Sequence, residues 1–155
     1  MDVRTDPELY RRVAEAFPDA WLEDPDLDGE EAREALRPFE DRITWDAPIH
    51  SVADLEARPY PVKGGNSKPS RFGSLERLLD FYDHCAERGI ALYGGGQSEL
   101  GVGRGQIQLL AALFHPDGSN DVAPIGWDQQ AFPPTGLPVS PLDPAPATTG
   151  FRRAD

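Results

Sequence analysis

The sequence predicts an α/β fold of parallel strands, and three observations carry that prediction. Helix-like and strand-like runs alternate along the first 128 residues. The strand-like runs are short, and a helix-like run follows nearly every one. Glu23, Asp46 and Lys68 each fall at the C-terminal end of such a run, 23 and then 22 residues apart. Alternation of this kind predicts parallel strands joined by right-handed crossovers. A regular strand-helix period then brings the strand-end side chains to one rim.

The first element is a helix: Asp6 can cap it, Pro7 suits the first helical position, and Leu9, Val13 and Phe17 share one face. Pro18 closes it. Ala20 to Glu23 reads as a short strand, Glu30 to Leu36 as a helix, and Arg42 to Trp45 as the next strand. Ser51 with Asp54 three residues on starts a helix through a capping-box-like pair. Strand character is weak from Tyr60 to Lys68, where Pro61, Gly64 and Gly65 interrupt it. Ser74 caps the clearest helix, with Leu75, Leu78, Leu79 and Tyr82 at i, i+3, i+4 and i+7, and Gly89 stops it. Ile90 to Tyr93 is a compact strand. Gly101 to Gly105 leads into a last helix with Ile107, Leu110, Ala111 and Phe114 on one face, and Asp121 to Ile125 reads as a final strand. About five strands and five helices result, around one core.

Residues 129–155 are rich in proline, lack periodicity and read as an extended C-terminal extension, so the domain proper is 1–128. The chain carries 27 acidic against 15 basic residues, a net charge of −12. That balance argues against nucleic acid or an anionic membrane surface as a partner, since both require clustered Lys and Arg. A single cysteine, Cys85, excludes an internal disulfide and reads as a packed thiol. With no apolar leader and no long apolar run, the expectation is a cytoplasmic protein.

Two carboxylates one strand apart, Glu23 and Asp46, have the chemistry to hold a hard divalent cation such as Mg²⁺. A lone acidic turn is ordinarily only solvated; the recurrence one unit later strengthens the metal reading. Lys68 precedes Pro69, which holds the lysine backbone extended. A strand-end lysine, partly desolvated, can serve as a base, although an isolated lysine is more often a surface residue. Glu99, in the loop YGGGQSELGVGRG, can reach the same rim or remain a loop carboxylate. The glycines of that loop match no phosphate-binding spacing, and His50, His84 and His115 share no ligand spacing.

WLEDPDLD, the strand-end Asp46, NSKPSRFGSLERLLDFYDHCAERGI and YGGGQSELGVGRGQIQLLAALF resemble the later barrel strands of the enolase superfamily. The branch of muconate-lactonizing and o-succinylbenzoate-synthase-like enzymes is the most similar. The resemblance covers roughly residues 1 to 128, and GLPVSPLDP looks like the C-terminal extension of such sequences. It implies part of a TIM-type (β/α)₇β barrel and a Mg²⁺-dependent lyase, racemase or cycloisomerase acting on a small carboxylate-containing substrate. Glu23 would then match the second metal acid, Asp46 the third, and Lys68 an acid/base lysine, with Glu99 on the substrate side.

The departures matter as much. A full barrel takes roughly 200 to 250 residues or more, and this sequence starts at the helix before the fourth strand. The capping domain, the early strands, their lysine pair and the first metal acid have no counterpart. The expectation is a fragment that binds Mg²⁺ weakly or not at all and is inactive alone, with truncation ranked ahead of a split enzyme or a decayed gene. The other reading is a non-catalytic half-barrel that assembles with a missing N-terminal half or with itself, since a half-sheet exposes edges and an apolar face.

Overall fold

The computed structural model describes residues 5–99 and 102–121. Five parallel strands, β1 (Leu22–Glu23), β2 (Ile43–Trp45), β3 (Gly64–Ser67), β4 (Ala91–Gly95) and β5 (Asn120–Asp121), lie side by side in sequence order. Helices α1 (Pro7–Ala16), α2 (Glu30–Leu36), α3 (Val52–Glu56), α4 (Leu75–Arg88) and α5 (Val102–Phe114) alternate with them. Every pairing is parallel, from Leu22 with Ile43 to Gly95 with Asp121. An in-order parallel sheet is the arrangement of a (β/α) barrel, and five of its strands form a curled half-barrel here.

Local chemistry accounts for the element boundaries. The Asp6 carboxylate accepts hydrogen bonds from the Glu8 and Leu9 amides at the start of α1. At its other end the Arg42 guanidinium donates to the carbonyls of Ala14, Phe17 and Ala20 at 2.7–2.9 Å, satisfying acceptors that a helix terminus leaves open. Ser51 and Asp54 form the expected pair at α3: Asp54 N donates to Ser51 Oγ at 3.2 Å, Ser51 Oγ donates to Asp54 Oδ2 at 2.7 Å, and the same Oδ2 accepts from His50 N at 3.1 Å. Ser74 caps α4, and Gly89 ends it at φ 63°, a left-handed conformation that glycine adopts without strain.

The core lies between the outward face of the sheet and the helices. Ile43 and Trp45 of β2 pack there with Leu36, Leu55, Phe72, Leu78, Phe81 and Cys85. Burial pushes the Cys85 thiol up to about 12, which keeps it protonated and inert, as a packed thiol should be.

On two helices the buried stripe is not the apolar face that the spacing marks. Leu9, Val13 and Phe17 are exposed, and α1 instead buries Ala14 and half-buries Tyr10. On α4 the buried stripe is Leu78, Phe81, Tyr82 and Cys85, while Leu75 and Leu79 face outward. Periodicity marks an apolar stripe but not which neighbour covers it, and the Phe81 ring, tilted against Phe72 with 4.7 Å between centroids, turns α4 toward that contact. The strands also shift: β3 is confined to Gly64–Ser67 and β4 runs to Gly95. The final strand is described at Asn120–Asp121, and the rest of its expected span and the C-terminal extension lie outside the described residues.

Candidate functional site

Side chains alternate across a strand, so one set faces the helices and the other the hollow of the half-barrel. Trp21, Glu23, Thr44, Asn66 and Tyr93 belong to the inward set, and Asp46 and Lys68 continue it past the ends of β2 and β3. Glu23, Asp46, Asn66, Lys68, Tyr93 and Asp121 line one cavity of about 330 Å³ at the carboxyl ends of the strands. The structure thus brings together the three residues singled out by spacing.

The loop after β1 is tied to β2 by Asp24. Held at φ 48°, it turns its carboxylate onto the Asp46 amide (2.8 Å) and the Ala47 amide (2.7 Å). That strut fixes the backbone from which the Asp46 side chain projects. Asp46 is in turn gripped from two sides: Lys68 Nζ lies 2.8 Å from its Oδ2, and an Arg71 guanidinium nitrogen 2.8 Å from its Oδ1. All three side chains are mostly buried. Arg71 arrives there because Pro69–Arg71 forms a 3₁₀ turn directly after Lys68, and it also donates to the Asp46 carbonyl at 2.5 Å. Sequence reasoning did not single out Arg71; its signal is the Lys-Pro-Ser-Arg spacing, which sets two cations three residues apart on a tight turn.

Glu23 is positioned from across the hollow. Tyr93 Oη donates to Glu23 Oε1 at 2.6 Å, and Thr44 Oγ1 lies 3.1 Å from the same hydroxyl. Burial, reinforced by the hydrogen bond to the Glu23 carboxylate, holds the Tyr93 phenol well above its ordinary range. It therefore remains a donor throughout the working pH range. Trp21 meets Tyr93 edge-on, with 5.5 Å between ring centroids. Glu99 lies apart, in a groove of about 330 Å³ with Ser70, Gly103, Ile107 and Leu110. One of its oxygens accepts from the Gln97 amide, and its buried Oε1 has no partner.

Asn66 was not anticipated. It is buried, it lines the rim cavity, and its Oδ1 has no hydrogen-bond partner. An unpaired buried acceptor costs about 1–3 kcal/mol, so its retention calls for a reason. Its neighbour Ser67 faces the other way and is fully engaged: Oγ is 3.0 Å from His115 Nε2 and 3.2 Å from Tyr82 Oη, while His115 Nδ1 is 2.8 Å from Asn120 Oδ1. Burial lowers the His115 pKa, so the ring is neutral and bridges the two side chains.

Mg²⁺ takes hard oxygen donors, usually one or two carboxylates plus water. Glu23 and Asp46 are such donors on adjacent strands, and Asn66, whose buried Oδ1 has no partner, lines the same cavity. A carboxylate offers about four lone-pair sites, so Asp46 keeps capacity beyond its two cationic partners. In kind, the two carboxylates fit the ion. In number they fall short: the described residues contain no cluster of three or more His, Cys, Asp or Glu side chains able to hold a metal.

A parallel in-order sheet with acids and a lysine at adjacent strand ends defines part of a (β/α) barrel with its polar site on the rim. The chain belongs to the family described as Domain of unknown function (DUF8230) C-terminal domain, whose model matches residues 1–129. It is also similar to o-succinylbenzoate synthase of Bacillus subtilis (strain 168), at 35% identity over 71 residues, which is 44% of this chain and 19% of the synthase. Among solved structures it resembles a member of the enolase superfamily from Listeria innocua Clip11262, with TM-score 0.61, 24% identity, and coverage of 79% of this chain and 35% of the other. A probable mandelate racemase from Alicyclobacillus acidocaldarius gives TM-score 0.61, 26% identity, and coverage of 80% and 35%. The resemblance to the enolase superfamily thus holds, over the part of the barrel expected. The chain spans between 19% and 35% of the length of these proteins.

Proposed function

We propose that this chain supplies one sector of the rim of a Mg²⁺-dependent barrel enzyme that abstracts a proton α to a carboxylate, as a lyase, racemase or cycloisomerase does. On its own it does not turn over substrate. The observation that carries the reading is the 2.8 Å contact of Lys68 Nζ with Asp46, in one cavity with Glu23. Glu23 and Asp46 would hold the metal. When bound, Mg²⁺ supplies stabilisation of the negative charge that develops on the substrate carboxylate. Lys68 takes the proton as the neutral amine or returns it as the ammonium, Asp46 aims the Lys68 Nζ, and Arg71 keeps Asp46 in place. Tyr93 orients Glu23. A cavity of about 330 Å³ suits a small carboxylate-containing substrate.

The test is hydrogen–deuterium exchange at the α-carbon of a panel of small carboxylic acids, followed by NMR in D₂O with millimolar Mg²⁺. The 155-residue chain alone is expected to show none. Mg²⁺-dependent exchange by the chain alone, abolished in Lys68→Ala, would show instead that the described rim is sufficient.

A second reading is favoured by one observation: Leu9, Val13 and Phe17 are exposed on and beside α1, and the strand that follows, β1, is a two-residue edge strand. In this reading the half-barrel is non-catalytic and assembles with a partner chain or with itself. Sedimentation checks it. A monomer at high micromolar concentration, without dye-accessible apolar surface, would remove the need for a covering partner.

A further inference from the structure

We infer that Asn66 is a third oxygen ligand for a divalent cation at the rim, beside Glu23 and Asp46. The inference rests on the rim reading above and adds to it a residue outside the acid/lysine set. Asn66 is only 4% exposed and its Oδ1 is unpartnered, yet it lines the cavity shared by Glu23, Asp46 and Lys68. The pairing of Trp45 with Gly65 makes Asp46 and Asn66 the next residues along two adjacent strands, both inward. Three oxygen-bearing side chains therefore come from three neighbouring strands.

Charge identifies the occupant. Among the described residues the cavity lining carries Glu23, Asp46 and Asp121 against Lys68, with Arg71 a second cation on Asp46. An unused acceptor in an acid-rich hollow favours an electron-poor ligand, and hard divalent cations accept amide carbonyl oxygens alongside carboxylates. On the neighbouring strand, Gly95 keeps the space open: a Cβ there would lie 3.1 Å from Lys68 Cε and 3.7 Å from Asn66 Nδ2. Adjacent Ser67 has both of its partners in place, so the lack of partners at Asn66 is not a general looseness of β3.

The probe is Mn²⁺, titrated into the 155-residue chain and followed by the loss of its free-ion paramagnetic resonance signal. Replacing the amide by a carboxylate in Asn66→Asp is expected to tighten binding about tenfold or more, because ligand charge tunes the affinity of such sites. Asn66→Leu is expected to weaken it by about tenfold or more, with an unchanged circular dichroism spectrum as the control for folding. Glu23→Gln separates the two claims. If Glu23→Gln weakens binding while Asn66→Leu and Asn66→Asp match the parent, the Asn66 assignment is overturned and the rim reading stands. If no variant, Asn66→Asp included, binds millimolar Mn²⁺, both are overturned.

Discussion

Asn66 and Ser67 are consecutive residues of β3, equally buried, and opposite in state. Ser67 points to the helices and is bonded to Tyr82 and His115, which is itself bonded to Asn120. Asn66 points into the hollow, and its carboxamide oxygen has no partner. The contrast extends to the aromatics. Phe72 and Phe81 are fully buried on the helix side, whereas Trp21 on the inner side is 47% exposed. One face of the sheet is thus closed by this chain's own helices; the other holds polar groups and an aromatic that these helices do not cover. Stability resides on the first face, and the groups free to meet a ligand reside on the second.

The largest expected effect breaks the closed face. Phe81→Ala removes a fully buried ring packed on Phe72 and should cost about 3–5 kcal/mol of unfolding free energy. Trp21→Ala, on the open face, should cost distinctly less despite removing a larger ring. Urea denaturation measures both, and equal losses would erase the distinction. Next in size is the polar pair. Ser67→Ala leaves the buried His115 ring and Tyr82 hydroxyl short of a partner and should cost about 2 kcal/mol. Asn66→Leu, which replaces an unpaired carboxamide, should be neutral or stabilising in the metal-free chain. A loss from Asn66→Leu as large as that from Ser67→Ala would mean that Asn66 already has a partner in solution.

A smaller, pH-dependent effect follows from His115. Burial depresses its folded-state pKa below the ordinary imidazole value of 6.5. As pH falls below 6.5, the unfolded chain takes up a proton that the folded chain refuses. Stability from this group is therefore full above that pH and declines as pH falls toward the folded-state value. One proton gives a slope of up to about 1.4 kcal/mol per pH unit. Unfolding curves between pH 7.5 and 5.5 should show the decline, and His115→Gln should flatten it.

What the sequence revealed follows from which signals are local. Caps are local, so Asp6, Ser51, Ser74 and Gly89 bound their helices as expected. The alternation of elements is local as well, and it sufficed for the parallel sheet and for bringing Glu23, Asp46 and Lys68 to one rim. Burial is not local. Leu9, Val13 and Phe17 have helical spacing whether or not a neighbour covers them, so the pattern placed them on one face without saying whether that face is buried. Asn66 was missed for a related reason: the lack of a partner exists only in three dimensions, and an Asn two residues before Lys68 carries no spacing signal of its own. The Arg71 contact with Asp46 depends on the turn that Pro69 starts, which composition does not specify.

The smallest effect tests the outermost part of the comparison. Leu9 and Phe17 are more than half exposed on α1, so Leu9→Lys with Phe17→Lys should change the unfolding free energy of the monomer by less than about 0.5 kcal/mol, as for ordinary surface sites. The same pair of charges would be costly wherever that stripe is buried against another surface. Measuring the double variant at low and high protein concentration therefore reads the cover directly. A small change at both concentrations means that α1 stands open to water. A loss that grows with concentration means that a second copy of the chain covers it, and α1 then belongs with the closed face.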